Sequence, residues 1–285
     1  MHTSSRRVLI ATALYCSILG RGRAQEPAAP LRIGLTPVFL DDQVAFLNVW
    51  RSYLERRLRR QIVFVQRGSY REVVNLLNQG QLDFAWVCGY PYVRHREQMK
   101  LLAVPVYRGK PLYRSYLIVP AHDATTRSLL DLRGKVFAYS DPDSNSGYLF
   151  TQYSLLRLNE TPASFFGKSF FTWAHRKVVD AVAAELAQGG AVDGYVWDTL
   201  ALSHPDLTGK TRIAERSPEF GFPPFVARAS LAAEEFKAMQ AVLVQMADNA
   251  EGAALLKRLN LDGFVAGTPA LFDGVAAMFR AVSVN

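Results

Sequence analysis

The feature that most constrains this chain is an alternation. Short runs rich in β-branched and aromatic residues take turns with segments whose apolar residues recur at helical spacing. Residues 31–35 read as a strand. Residues 41–59 carry Val44, Leu47, Trp50, Leu54 and Leu58 at helical spacing, with an arginine-rich opposite face. A strand at 62–65 follows, then a helix at 70–77 capped by Ser69 and stopped by Gly80. The wholly apolar run 84–87 suits a strand buried on both faces of a parallel sheet. A short helix is expected after Pro91, and strands at 101–107, 114–119 and 136–139. A helix starting near Gly147, a strand at 169–172, a helix at 177–186 and a strand at 194–197 continue the pattern. Residues 231–259 and 269–281 read as helical. Alternation of this kind builds open α/β sheets with helices on both faces. Two lobes are expected: residues 25–116 completed by 222–285, and residues 117–221, with the chain crossing near 117 and returning near 222.

The first residues are set apart from that fold. Arg6 and Arg7 precede an apolar run from Val8 to Leu19, and Gly22 and Ala24 supply small residues at the −3 and −1 positions of a signal-peptidase site. The run is too short for a spanning helix, which needs about 20 apolar residues. Residues 1–24 are therefore expected to be a cleaved signal, which sends the chain to the periplasm with Gln25 first. Tyr15 before Cys16 argues against a lipid anchor. No other segment has transmembrane length.

Export changes the charge and the cysteine count. The formal net charge of +8 includes Arg6, Arg7, Arg21 and Arg23, so the mature chain carries about +4. That mild bias suits small anions and is too weak for nucleic acid, and no Lys/Arg block with interleaved aromatics exists. Cys16 leaves with the signal, so Cys88 stands alone and no disulfide framework forms. No His/Asp/Glu cluster shows metal-ligand spacing, and no cofactor is expected. The expected state is a monomer.

In open α/β sheets, ligands sit where strands end and helices begin, and helix N-termini favour anions. Four such turns carry candidate residues. Asp141-Pro142-Asp143-Ser144-Asn145-Ser146-Gly147 offers hydroxyls from Ser144 and Ser146 and the amides of Asn145, Ser146 and Gly147. Plain helix capping accounts for the same residues. Gly68-Ser69-Tyr70 offers the Ser69 amide and the Tyr70 phenol, and a capping box with Glu72 explains Ser69 equally. Cys88-Gly89-Tyr90-Pro91-Tyr92 places Cys88 and Tyr90 where a cleft would lie, although Cys88 also fits as a small buried apolar residue. Trp173-Ala174-His175 opens a helix, with Asp198 downstream, and a surface or capping histidine fits there as well.

Three stretches, "GSYREVVNLLNQGQLDFAWVCGYPYV", "AYSDPDSNSGYLF" and "WAHRKVVDAVAAELAQGGAVDGYVWD", occur in the order and spacing of a known family. The chain resembles the periplasmic phosphonate/phosphite/phosphate-binding proteins that serve ABC importers, from about residue 31 to 198 and more weakly to the C-terminus. The resemblance implies a two-lobed periplasmic binding protein of type II, with two sheets joined by two crossing strands. It implies closure on ligand like a hinged trap. It also implies ligand roles for the positions matching Tyr70, Ser144 to Gly147, His175 and the residues around Asp198. Family members that hold an aminoalkyl group place acids opposite the anion site. Here Asp198 is one candidate and no second acid stands out, which favours a bare oxyanion.

The expected function is capture of a small oxyanion by lobe closure, with Ser144–Gly147 contributing from one lobe and Tyr70 and the Ser69 amide from the other. Delivery to an ABC permease follows, and no reaction is catalysed. Two alternatives stay open. A branch of the family senses arsenite for two-component signalling, and a cleft thiolate at Cys88 would suit that soft ligand and a sensor-kinase partner. An enzyme would use Cys88 as nucleophile, His175 as base and Asp198 to orient the histidine.

Overall fold

The computed structural model describes residues 29–36 and 44–284. The expected signal (residues 1–24), the start of the mature chain at Gln25 and the start of the first helix at 41–43 lie outside the described residues. Among the described residues, eleven strands divide between two mixed sheets. The first sheet holds β1 (Leu31–Leu35), β2 (Ile62–Gln66), β3 (Phe84–Trp86) and β4 (Met99–Val106). Near the crossing, β5 (Leu112–Tyr113) stands apart. The second sheet holds β6 (Ser115–Pro120), β7 (Val136–Tyr139), β8 (Lys168–Phe171), β9 (Gly189–Asp193) and β10 (Thr211–Arg216). The chain then returns through β11 (Phe220–Gly221) and completes the first sheet with β12 (Phe225–Arg228) and β13 (Gly263–Val265). Strands β5 and β11 pair antiparallel with each other and are the two connections between the lobes.

Within the first sheet, β1 pairs parallel with β2 and β3, and in the second, β7 pairs parallel with β8 and β9. Of these six strands, β2, β3, β7, β8 and β9 deliver the functional turns. The antiparallel pairings of β12, β13, β6 and β10 close the sheets' other sides.

Strand alternation puts helices on both faces of each sheet. Phe64 and Trp86 point to the face where Trp50 of helix Val44–Leu58 packs, with ring centroids 5.2 and 6.3 Å away. Gly34, on the opposite face, lies under Val73 of helix Tyr70–Asn78. In the second sheet, Gly190 meets Val178 of helix His175–Ala183, while Phe137 on the other face stacks on Phe166 at 4.4 Å.

Two readings of the sequence need correction. The strand expected at 194–197 is the first turn of helix Gly194–Ser203, and the strand is Gly189–Asp193. The two glycines read locally as a turn, but a Cβ on Gly190 would come within 2.5 Å of the Val178 side chain, so the strand requires them. Asp193 then caps the helix through the amides of Tyr195 and Val196. The stretch 231–259, read as one helix, is two: helix Ala233–Val244 ends in a 3-10 turn at Gln245–Asp248, and Asn249 starts a separate helix at Ala250–Arg258.

Candidate functional site

Strands β2 and β3 of one lobe and β7, β8 and β9 of the other lead into turns that meet between the lobes. Tyr70 opens the helix after β2. Its hydroxyl lies 3.1 Å from Nε2 of His175, which opens the helix after β8 in the other lobe. Ser144 Oγ, after β7, lies 3.4 Å from the same nitrogen. Tyr70, Ser144, Asn145, Ser146 and His175 are all buried.

The protonation state of His175 follows from its other nitrogen. The Asp193 amide donates to Nδ1 at 3.0 Å, so the neutral ring carries its proton on Nε2. Burial pushes the imidazole down to about 3, and it stays neutral at physiological pH. Nε2–H therefore points at the oxygens of Tyr70 and Ser144. Ser144 Oγ also accepts the Gly147 amide at 3.0 Å. The single Nε2–H is shared, closer to Tyr70 than to Ser144, and each hydroxyl keeps its own proton for a further acceptor. Burial is the first cause that holds the Tyr70 phenol protonated.

Ser140 Oγ and Ser146 Oγ are buried without a hydrogen-bonding partner among the described residues. Asn145 Oδ1 is likewise unpartnered, while its Nδ2 donates to the Tyr113 hydroxyl at 3.0 Å. Native structures pair nearly all such groups, so a cluster of three calls for an explanation. Gly147 makes the cluster possible. A Cβ there would sit 1.8 Å from Ser140 Oγ, 2.7 Å from Ser140 Cβ and 3.0 Å from His175 Cε1. Residues 145–149 form a single π-helical turn that runs into helix Phe150–Leu156, a distortion often found at functional sites. Trp173, two residues before His175, adopts φ +67°, a strained conformation for a bulky residue.

Not every expected contact is free for a ligand. The Asn145 amide donates to Cys88 Sγ at 3.2 Å, and the Gly147 amide to Ser144, so two of the three amides in that turn are committed. The Ser69 amide bonds Glu72 at 3.2 Å within a capping box. The N-terminus of the Tyr70 helix is taken by the chain itself, because the Tyr70 amide donates to Asp141 of the opposite lobe at 3.0 Å. Cys88 is buried, and its thiol is pushed up to about 11, mainly by burial, so it is not a thiolate at neutral pH. Tyr90 is half-buried and packs on Phe279 at 5.6 Å.

Asp198 lies elsewhere. Its carboxylate accepts from the hydroxyls of Tyr107 at 2.7 Å and Tyr116 at 3.0 Å, and pairs with Arg108. His175 is oriented by the Asp193 amide, not by Asp198, so the Cys88–His175–Asp198 relay is not assembled.

Several site residues escaped the sequence reading. Ser140 and Tyr113 border the cluster. Asp143 reaches across to Arg71 at 3.2 Å and Arg94 at 3.3 Å, which joins the lobes at the rim. Asp141 and Asp143 sit inside a turn that the sequence did mark. Their partners lie about 50–70 residues away and leave no local trace. Among the described residues there is no group of three metal-ligating side chains, and no helix is long and apolar enough to cross a membrane.

Two lobes on mixed sheets, joined by two crossing strands and meeting at a buried cluster of neutral donors, define a two-lobed binding protein of the periplasmic type. The chain belongs to the family described as ABC transporter, phosphonate, periplasmic substrate-binding protein, which matches residues 33–272. Among curated relatives, the phosphate-import protein PhnD of Mycolicibacterium smegmatis is 25% identical over 230 residues, 75% of this chain and 68% of the relative. A binding protein component of an ABC phosphonate transporter from Pseudomonas aeruginosa superposes with a TM-score of 0.82 at 19% identity, covering 89% of this chain and 87% of the other. PhnD1 from Prochlorococcus marinus, solved in complex with methylphosphonate, gives 0.79 at 18% identity, with 89% and 98% covered.

Proposed function

We propose that this protein captures a phosphonate- or phosphate-type oxyanion in the periplasm and passes it to the permease of an ABC importer. The observation that carries this reading is the donor set. Tyr70 and Ser144 turn their hydroxyls to the one Nε2–H of a neutral imidazole, and Ser140 and Ser146 add two further buried hydroxyls from the same strand-end turn. Such a set favours an acceptor-rich tetrahedral anion. The moving bodies in this reading are residues 25–116 with 222–285, and residues 117–221. An anion that bonds Tyr70 on one and the serines on the other favours the closed form by its differential affinity. The membership of the family supports the importer role, and the short apolar N-terminus supports export.

Thermal shift and calorimetry against phosphate, phosphite, methylphosphonate, sulfate, arsenate and arsenite test the reading. A ligand that binds only the folded state adds about 2.7 kcal/mol of stability at a hundred times its Kd. The expected result is a shift with a phosphorus oxyanion that is reduced at least about tenfold in affinity by the double substitution Ser144→Ala, Ser146→Ala. A shift with arsenite alone, lost in Cys88→Ser, would replace the importer reading with a sensor. Unchanged affinity in the double variant would place the site elsewhere.

A further inference from the structure

Two acids, Asp141 and Asp143, come just before Ser144 in the chain, and the opposite lobe supplies bonds to both. Asp141 accepts the Tyr70 amide at 3.0 Å and so sits at the N-terminus of helix Tyr70–Asn78, where a negative charge is favoured. Asp143 takes two bonds from Arg71, at 3.2 and 3.3 Å, and one from Arg94 at 3.3 Å. The two acids are also fixed to each other. The Asp143 amide donates to Asp141 Oδ1 at 2.7 Å, the Ser144 amide donates to the Asp141 carbonyl at 2.9 Å, and Pro142 between them has a locked φ. The result is a stiff prong on one lobe, gripped by the other through both carboxylates.

The prong differs from the turn it leads into. Asn145 and Ser146 keep unpartnered oxygens, whereas both acids of the prong are engaged by the chain itself. Its bonds therefore form on closure without help from an anion. The Asp143 side chain is only 10% exposed, but those of Arg71 and Arg94 are 63% and 44% exposed, so dissolved salt reaches the pairs.

We infer that Asp141 and Asp143 form an ionic latch, which favours the closed form ahead of ligand and sets the affinity for every ligand alike. A closed population present before binding lowers the apparent Kd of any ligand by one common factor.

The affinity part of this inference rests on the proposed oxyanion site, and the test keeps the two apart. Cys88 supplies the readout. It is the one free cysteine among the described residues, it is buried, and it accepts the Asn145 amide across the seam, so lobe opening uncovers it. With Cys16→Ser as the common background, the protein is treated with N-ethylmaleimide before any anion is added. The thiol should react far more slowly than in the urea-unfolded chain, and faster as salt rises from about 0.02 to about 0.5 M. Asp143→Asn, and separately the double variant Arg71→Gln, Arg94→Gln, should react at least about fivefold faster at low salt, with a smaller response to salt. In calorimetry, Asp143→Asn should alter the Kd of phosphate and of methylphosphonate by one factor, keeping their ratio within about twofold of its original value. Reactivity equal to that of the unfolded chain before any substitution, or rates within about twofold in all three proteins, would overturn the latch. So would a larger change in the ligand ratio, which would put Asp143 on the ligand. Failure of both anions to bind the unsubstituted prong would overturn the oxyanion reading, and the thiol rates would still decide the latch.

Discussion

The two lobes touch along two seams, and the seams are built differently. Where helix Gly194–Ser203 meets the other lobe, Tyr195 donates to the Leu259 carbonyl, Asn260 donates to Thr199, and Asp198 receives two tyrosine hydroxyls and Arg108. Each of those polar groups has a partner in the chain. At the strand-end seam, Tyr70 meets His175 and Cys88 meets Asn145, yet the oxygens of Ser140, Asn145 and Ser146 stay buried and unpartnered. A seam that only holds lobes together has no reason to leave such groups unmatched, since each costs about 1–3 kcal/mol. The incomplete seam is the one shaped for a guest.

The largest expected effect tests that incompleteness. Gly147→Ala places a methyl 1.8 Å from Ser140 Oγ and 2.7 Å from its Cβ, so rotating the serine cannot relieve the clash. The turn must shift, and affinity for the oxyanion should drop by about a hundredfold or more, with a stability loss of about 1–3 kcal/mol. Calorimetry and urea unfolding read both. Retained affinity would show that the ligand does not use this turn.

A matched pair of substitutions then sets one seam against the other. His175→Ala removes the Nε2–H donor and leaves the buried Asp193 amide without its acceptor. Binding should fall at least about tenfold and stability by about 1–3 kcal/mol. Asp198→Asn weakens the bonds to Tyr107 and Tyr116 in the filled seam, with a stability cost of about 1–2 kcal/mol and affinity within about threefold of the wild type. The exposed Arg108 adds little to that cost. Equal affinity losses in the two variants would erase the distinction between the seams.

How much of this was legible in the sequence depends on whether the determining contact is local. Ser69 and Glu72 announce a capping box because both partners lie within one turn, and the Phe84–Trp86 strand announces itself through unbroken apolar residues. Strand β9 hid because its glycines answer to Leu132 and Val178, residues that the fold packs against it from elsewhere in the chain. The Ser144–Gly147 turn was visible, but not which of its groups were free. That depends on Cys88, Asp141 and Arg71, which tertiary structure brings from other turns. Asp198 was singled out as an acid near the hinge. Its engagement by Tyr107 and Tyr116 follows only from the placement of two distant strands.

The smallest effect concerns pH, and it sharpens the role of the His175–Asp193 contact. Burial pushes His175 down to about 3 and the Asp193 carboxyl up to about 7, the latter against two amide bonds that lower it. The histidine's contribution to stability is full above its ordinary value of about 6.5 and is lost as pH falls toward 3, because the unfolded chain takes the proton first. Asp193 behaves oppositely. Its contribution is full below about 3.8 and is lost as pH rises through 7, because the folded chain holds the proton longer. Between pH 6.5 and 4.5 the two therefore offset each other in the wild type. Asp193→Asn keeps a capping side chain and removes only the acid, so on acidification its urea midpoint should fall more steeply than that of the wild type. His175→Gln should fall less steeply. Parallel pH dependence in all three proteins would mean that neither group is held in the state its burial dictates, and the neutral, Nε2-protonated imidazole that orients the hydroxyls would lose its support.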